Sequence, residues 1–188
     1  MGNEKLLLQE IQQEAENAKR IIKKEVEVSV EELSKISLSD FVLTSPIRPI
    51  EKSIEECVLE FERRIETVET NLAKELDVLI HQMKFFQYDI VKTAANRMMY
   101  GFIYDDGPWL NHPIIETNDI QAKVQSKLLC TPWMLLIPNM AVNQIKKTSE
   151  EVFQAEIKSK RDIIINFSTG KITKQIDRIL DYIKSEIS

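Results

Sequence analysis

Apolar residues recur along most of this chain at steps of three and four, the spacing that gathers them on one side of an α-helix. The first run is Leu8, Ile11, Ala15, Ala18 and Ile22, separated by Gln, Glu, Lys and Arg. Val26, Val28 and Val30 then alternate with Glu25, Glu27 and Ser29, a period of two. A short strand is one reading of that change. The preferred one is a break at Ser29, with Ser29 and Glu32 forming a capping box for a new short helix through Ile36. A lone strand in so helical a chain would lack a pairing partner. Residues 37–50, SLSDFVLTSPIRPI, read as a connector, because Pro46 and Pro49 exclude regular helix there.

The strongest pattern comes next. Ile54, Val58, Phe61, Ile65, Val68 and Leu72 step by four and three, and Leu76, Leu79, Met83, Phe86 and Ile90 resume the same rhythm after one extra step of four. This is a heptad stripe with a stutter between Leu72 and Leu76. It predicts one helix over about 51–104, roughly 80 Å long if unbroken. A compact domain of this length has a radius of gyration near ~16 Å, so the pattern predicts an elongated molecule. Its second half carries Phe85, Phe86, Tyr88, Met98, Met99, Tyr100 and Phe102 and few charges, which suggests burial on several sides in a thicker head spanning 83–140.

Asp105-Asp106-Gly107-Pro108 and Asn111-His112-Pro113 predict a turn over 105–113. A helix over about 114–131 follows, with Ile120, Val124 and Leu128 on one stripe and Thr117 or Asn118 as its cap. Pro132 interrupts it. Residues 128–138 form an uncharged apolar loop containing Trp133, and Asn139 is the expected N-cap of C-terminal helices over 139–188. There Val142, Ile145, Ser149, Val152 and Glu156 make an imperfect stripe beside Phe153, Ile157 and Ile164. A kink is expected at Ser168-Thr169-Gly170, after which Ile172, Ile176, Ile179 and Ile183 return to heptad spacing. The fold class is therefore all-α: an elongated helical bundle with a coiled-coil-like stem, in which the 51–80 helix runs antiparallel to the C-terminal helix, and a helical head. The helix at 1–36 joins the bundle or binds another chain.

Composition sharpens this picture. Only 4 Gly and 6 Pro in 188 residues leave few breakers, and 43% hydrophobic content suffices for a core. The net charge of −5 is concentrated: residues 51–80 hold nine acids and four bases, and the rest of the chain is neutral. An acidic stem argues against a nucleic-acid partner, which would require a concentrated positive face. Cys57 and Cys130 fit no metal spacing and, without a signal peptide, are expected to be reduced thiols in an intracellular, non-secreted protein. Leu6 stands where a myristoylation signal wants Ser or Thr.

Candidate chemistry is sparse. Asp105, Asp106 and His112 are the best local metal set, but the same residues suit a tight turn. His81 shares a helix face with Asp77, yet no Glu-x-x-His pair of the kind a di-iron bundle needs is present. Gly170-Lys171 lacks the upstream glycine of a phosphate loop. No cofactor, metal or small-molecule substrate is expected. The apolar loop has three readings: a plug in the head core, which is preferred; a socket for a partner; or a foot in a membrane interface, for which the nearest bases are Lys127 and Lys146.

The expected function is that of a non-enzymatic scaffold subunit, pairing through coiled-coil helices with other helical proteins in a homo- or hetero-oligomer. The interface candidates are Ile54, Val58, Phe61, Ile65, Val68, Leu72, Leu76, Leu79, Trp133, Leu135, Ile176 and Ile183. The alternatives are a peripheral membrane protein using 128–138 and a metal-dependent enzyme using the 105–113 loop.

Overall fold

The computed structural model describes residues 2–43, 49–82, 115–130 and 132–187. They form four α-helices, α1 (Gly2–Leu33), α2 (Ile50–Gln82), α3 (Thr117–Leu128) and α4 (Pro138–Ile187), with a short 3-10 helix, Pro132–Leu136, between α3 and α4. The all-α class is as expected, and no strand occurs among the described residues.

Several boundaries differ from expectation, each for a physical reason. α1 runs through Ser29 without a break, so neither the short strand nor the capping box forms. Ile22, Val26, Val30 and Leu33 are all buried while Val28 is exposed. The step of four from Ile22 therefore prevails over the local alternation, and Ser29 sits buried inside the helix. α1 ends in single turns, with the Lys35 and Ile36 amides donating to the Glu32 and Leu33 carbonyls. α4 is likewise unbroken at Ser168-Thr169-Gly170. A methyl added at Gly170 would meet nothing within 4 Å, so this glycine marks neither a turn nor a close approach. Asn139 is not the cap of α4: Pro138 is its first residue, and the Ala141 amide donates to the Ile137 carbonyl at 2.8 Å. Proline suits that position, where its missing N–H has no helical acceptor and its fixed φ is already helical. α3 begins after Glu116, without a side-chain cap.

The stutter at Leu72–Leu76 lies inside continuous α2, and both leucines are buried. The expected continuation of this helix over 83–104 and the turn at 105–113 lie outside the described residues.

The chain divides into two compact units, and α1, α2 and α4 each contribute to both. The first takes residues 1–29, 69–109 and 164–188. Its core is Ile11, Ala15, Ala18, Ile22 and Val26 of α1, Leu72, Ala73 and Leu76 of α2, and Ile164, Ile172, Ile176, Ile179 and Ile183 of α4. Lys19 Nζ joins Asp177 of α4 at 2.6 Å and Glu16 at 2.7 Å. Burial works against the lysine's charge, but the two carboxylates outweigh it and raise its pKa.

The second unit takes residues 30–68 and 110–163. Ile54, Cys57, Val58, Phe61 and Ile65 of α2 share its core with Ile120, Val124 and Leu128 of α3 and Ile145, Val152, Phe153 and Ile157 of α4. Phe61 and Phe153 stack with centroids 4.3 Å apart and planes 8° from parallel. The connector after α1 is pinned here. Glu150 accepts from Ser37 Oγ at 2.8 Å and from the Leu38 amide, and Arg64 donates to the Ser37 carbonyl. Leu38 and Leu43 then bury beneath it.

Candidate functional site

Most of the apolar stripe named as the interface candidate is covered within this chain. Ile54, Val58, Phe61, Ile65, Leu72, Leu76, Ile176 and Ile183 are buried within their own units, and Val68 and Leu79 are half-buried. The reason is supply: α1 and α4 bring apolar stripes of matching period, so the seam on α2 closes intramolecularly and saves the cost of exposing it, about 25 cal/mol per Å². On α2 the outward face carries Leu59, 61% exposed, between Glu55, Glu62 and Arg63.

Glu60 and Glu156, whose pKa values are lowered, each sit in a cluster of ion pairs. Glu60 Oε1 lies 2.7 Å from Arg63 Nη2 and 2.8 Å from Arg64 Nε. The hydrogen bond from Arg63 outweighs burial and, with Arg64, holds the carboxyl down at about 2. Because Arg64 also grips the Ser37 carbonyl, this cluster ties the connector to α2. Glu156 of α4, nearly buried, takes Lys123 of α3 at 2.5 Å and Lys160 at 2.9 Å. Lys123 is the main cause of its lowered pKa, against an opposing effect of burial. Cys57 is fully buried and burial pushes its thiol up to about 11, whereas Cys130 is exposed. No group of His, Cys, Asp and Glu able to hold a metal occurs among the described residues. The candidate set Asp105, Asp106 and His112 lies outside them, and so does the side chain of His81.

The residues expected to pack on the turn between α3 and α4, Phe85, Phe86, Met98 and Met99, lie outside the described residues, and the turn's described side chains are mostly exposed. Leu128 is buried, but Leu129 is 77% exposed, Leu136 83% and Ile137 48%, with Met140 also exposed. Leu135 is half-buried. The backbone of Trp133 lies in the 3-10 helix; its side chain is outside the described residues. Two prolines explain the geometry. Pro132 stops α3 from continuing and Pro138 restarts helix, so the six residues from Pro132 to Ile137 cannot lay their apolar side chains along one helical stripe. Sequence reasoning found the apolar run but judged it by composition, and composition alone does not tell a buried run from a displayed one.

No helix among the described residues is long and apolar enough to cross a membrane. No family model matches this chain, and neither a curated protein nor a solved structure matches it.

Proposed function

We propose that this chain is a non-enzymatic structural subunit that works by coiled-coil-like helix packing within a larger protein assembly. The observation that supports this reading is the extent of helix packing: α1, α2 and α4 bury sustained apolar stripes, and Lys19, Glu60 and Glu156 are each held in ion pairs along or between helices. The long helices α1, α2 and α4 supply stiff surface, and the acidic outward face of α2 around Leu59 is where a helical partner of complementary charge would pack.

The test is affinity capture of the tagged full-length chain from its native cell, with stoichiometry read by light scattering. A protein partner retained at fixed ratio, and lost with Leu59→Lys, is the expected result. A chain that stays monomeric and retains no partner overturns the reading.

A further inference from the structure

We propose that residues 37–43 form a strap whose catch is the Glu150 carboxylate, and that release of the catch lifts the strap off α2 and α4, with both helices in place, and uncovers the Cys57 thiol. The scaffold reading above is not needed for this one.

The strap is not helical, so its amides have no helical acceptors and must find others. Side chains supply them. One oxygen, Glu150 Oε1, accepts from the Ser37 hydroxyl at 2.8 Å and from the Leu38 amide. The Ser37 hydroxyl in turn accepts from the Ser39 amide at 3.1 Å. These bonds form a chain that ends on a single carboxylate. Without it, the Leu38 amide loses its acceptor and the Ser37 hydroxyl is free to turn away from Ser39. Further holds are slight. Arg64 of α2 donates to the Ser37 carbonyl, and Lys146 of α4 lies 5.8 Å over the Phe41 ring. Leu38 and Leu43 are the strap's buried anchors, while Val42 between them is 77% exposed. A segment with few buried side chains, its backbone held by side chains rather than by a helix, opens separately from the elements it lies on.

The strap and Cys57 meet at one place in the second unit. The charged groups whose fields reach the thiol are Lys146 and Glu150, the same two α4 side chains that hold the strap. Ser149, next to the catch, lies beside the thiol. Its hydroxyl is fully buried and has no hydrogen-bond partner. A buried hydroxyl without a partner carries an uncompensated desolvation cost, which water entering under a lifted strap would relieve. The closed site is thus biased towards opening, and one carboxylate opposes that bias. Closed, the strap shields a nucleophile; open, it offers the thiol to electrophiles.

The experiment uses the full-length chain with Cys130→Ser, which leaves Cys57 as the sole thiol. Iodoacetamide labelling is followed by intact mass, and deuterium uptake is followed in peptides covering 37–43, α2 and α4. In this reference chain Cys57 should stay shielded without denaturant. Adding Glu150→Ala should raise its labelling rate at least about tenfold, with faster uptake in 37–43 and unchanged uptake in α2 and α4. Should Glu150→Ala lose helicity in circular dichroism, Ser37→Ala, which lies outside the helices, takes its place, and a rise of at least about threefold is expected. Labelling that stays at the reference rate in the helical variant overturns the proposal, because the helices themselves would then cover the thiol. Faster labelling with equally faster uptake in α2 and α4 also overturns it, because the whole unit, not a strap, would be opening.

Discussion

Phe61→Ala probes whether the long stripe on α2 is packed inside this chain or held by another. The ring is 2% exposed and stacks on Phe153, which is 0% exposed. Removing a buried phenyl forfeits its transfer energy and leaves a cavity, about 3–5 kcal/mol together. That is a large share of the ~5–15 kcal/mol typical of a native domain. With a urea dependence of roughly 2 kcal/mol per M, the midpoint should fall by about 2 M. The assay is urea unfolding followed by circular dichroism at 222 nm over a fiftyfold range of protein concentration. The midpoints of wild type and variant should not depend on concentration. Combining Phe61→Leu with Phe153→Leu should reveal a coupling of about 0.5–1.5 kcal/mol for the stacked pair. A midpoint shift below about 0.3 M, or one that depends on concentration, would refute the argument, because the stripe would then be exposed or shared between chains.

Other consequences are equally direct. Glu60 has its carboxyl pKa lowered from 4.5 to about 2, so the stabilisation it gives is complete above pH 4.5 and lost as pH falls from there towards 2. Exposure of Arg63 holds the effect to about 1–2 kcal/mol, and Glu60→Gln should flatten the acid limb of a stability–pH curve by that amount. Gly170→Ala should raise stability by roughly 0.5–1 kcal/mol in thermal melts, since the helix interior has room for the methyl and alanine is the better helix former. Iodoacetamide should modify Cys130 in the native protein and reach Cys57 only on unfolding, as mass spectrometry of time points would record; rapid native labelling of Cys57 would contradict its burial.

The helices were legible in the sequence because their apolar period is sustained. Ile54 to Leu76 on α2 and Ile172 to Ile183 on α4 keep heptad spacing, and nearly all of these stripe positions are buried. Misreadings arose where a local signal ran against that longer period. Val26–Val30 alternate for only five residues, and Ser168-Thr169-Gly170 resembles a break, yet burial on either side carries the helix through both. Propensities worth tenths of a kcal/mol yield to side chains whose burial is worth ~1.5–3 kcal/mol each. Partner choice was the harder problem. A heptad stripe announces that something covers it, but period alone does not say whether the cover is another chain or another segment of the same one. The turn posed the reverse difficulty: LLCTPWMLLIPNM has the composition of a core, yet within it Leu128 is buried while Leu129, Leu136 and Ile137 are exposed.

Ala15 and Ala18 in α1 are both essentially without exposed surface, which bears on how this sequence can drift over generations. A side chain larger than a methyl at Ala15, which has no exposed surface, overpacks the core at a cost of about 1–3 kcal/mol, whereas Ala18 borders a cavity lined by Ile21, Ile22 and Leu79 that has room for one. Ile11 and Ile22 on the same stripe tolerate exchange for leucine or methionine at modest cost. Distant descendants of this chain would therefore keep a small residue at position 15, between bulky ones at 11 and 22 in their first helix, long after the charged positions around it had been rewritten.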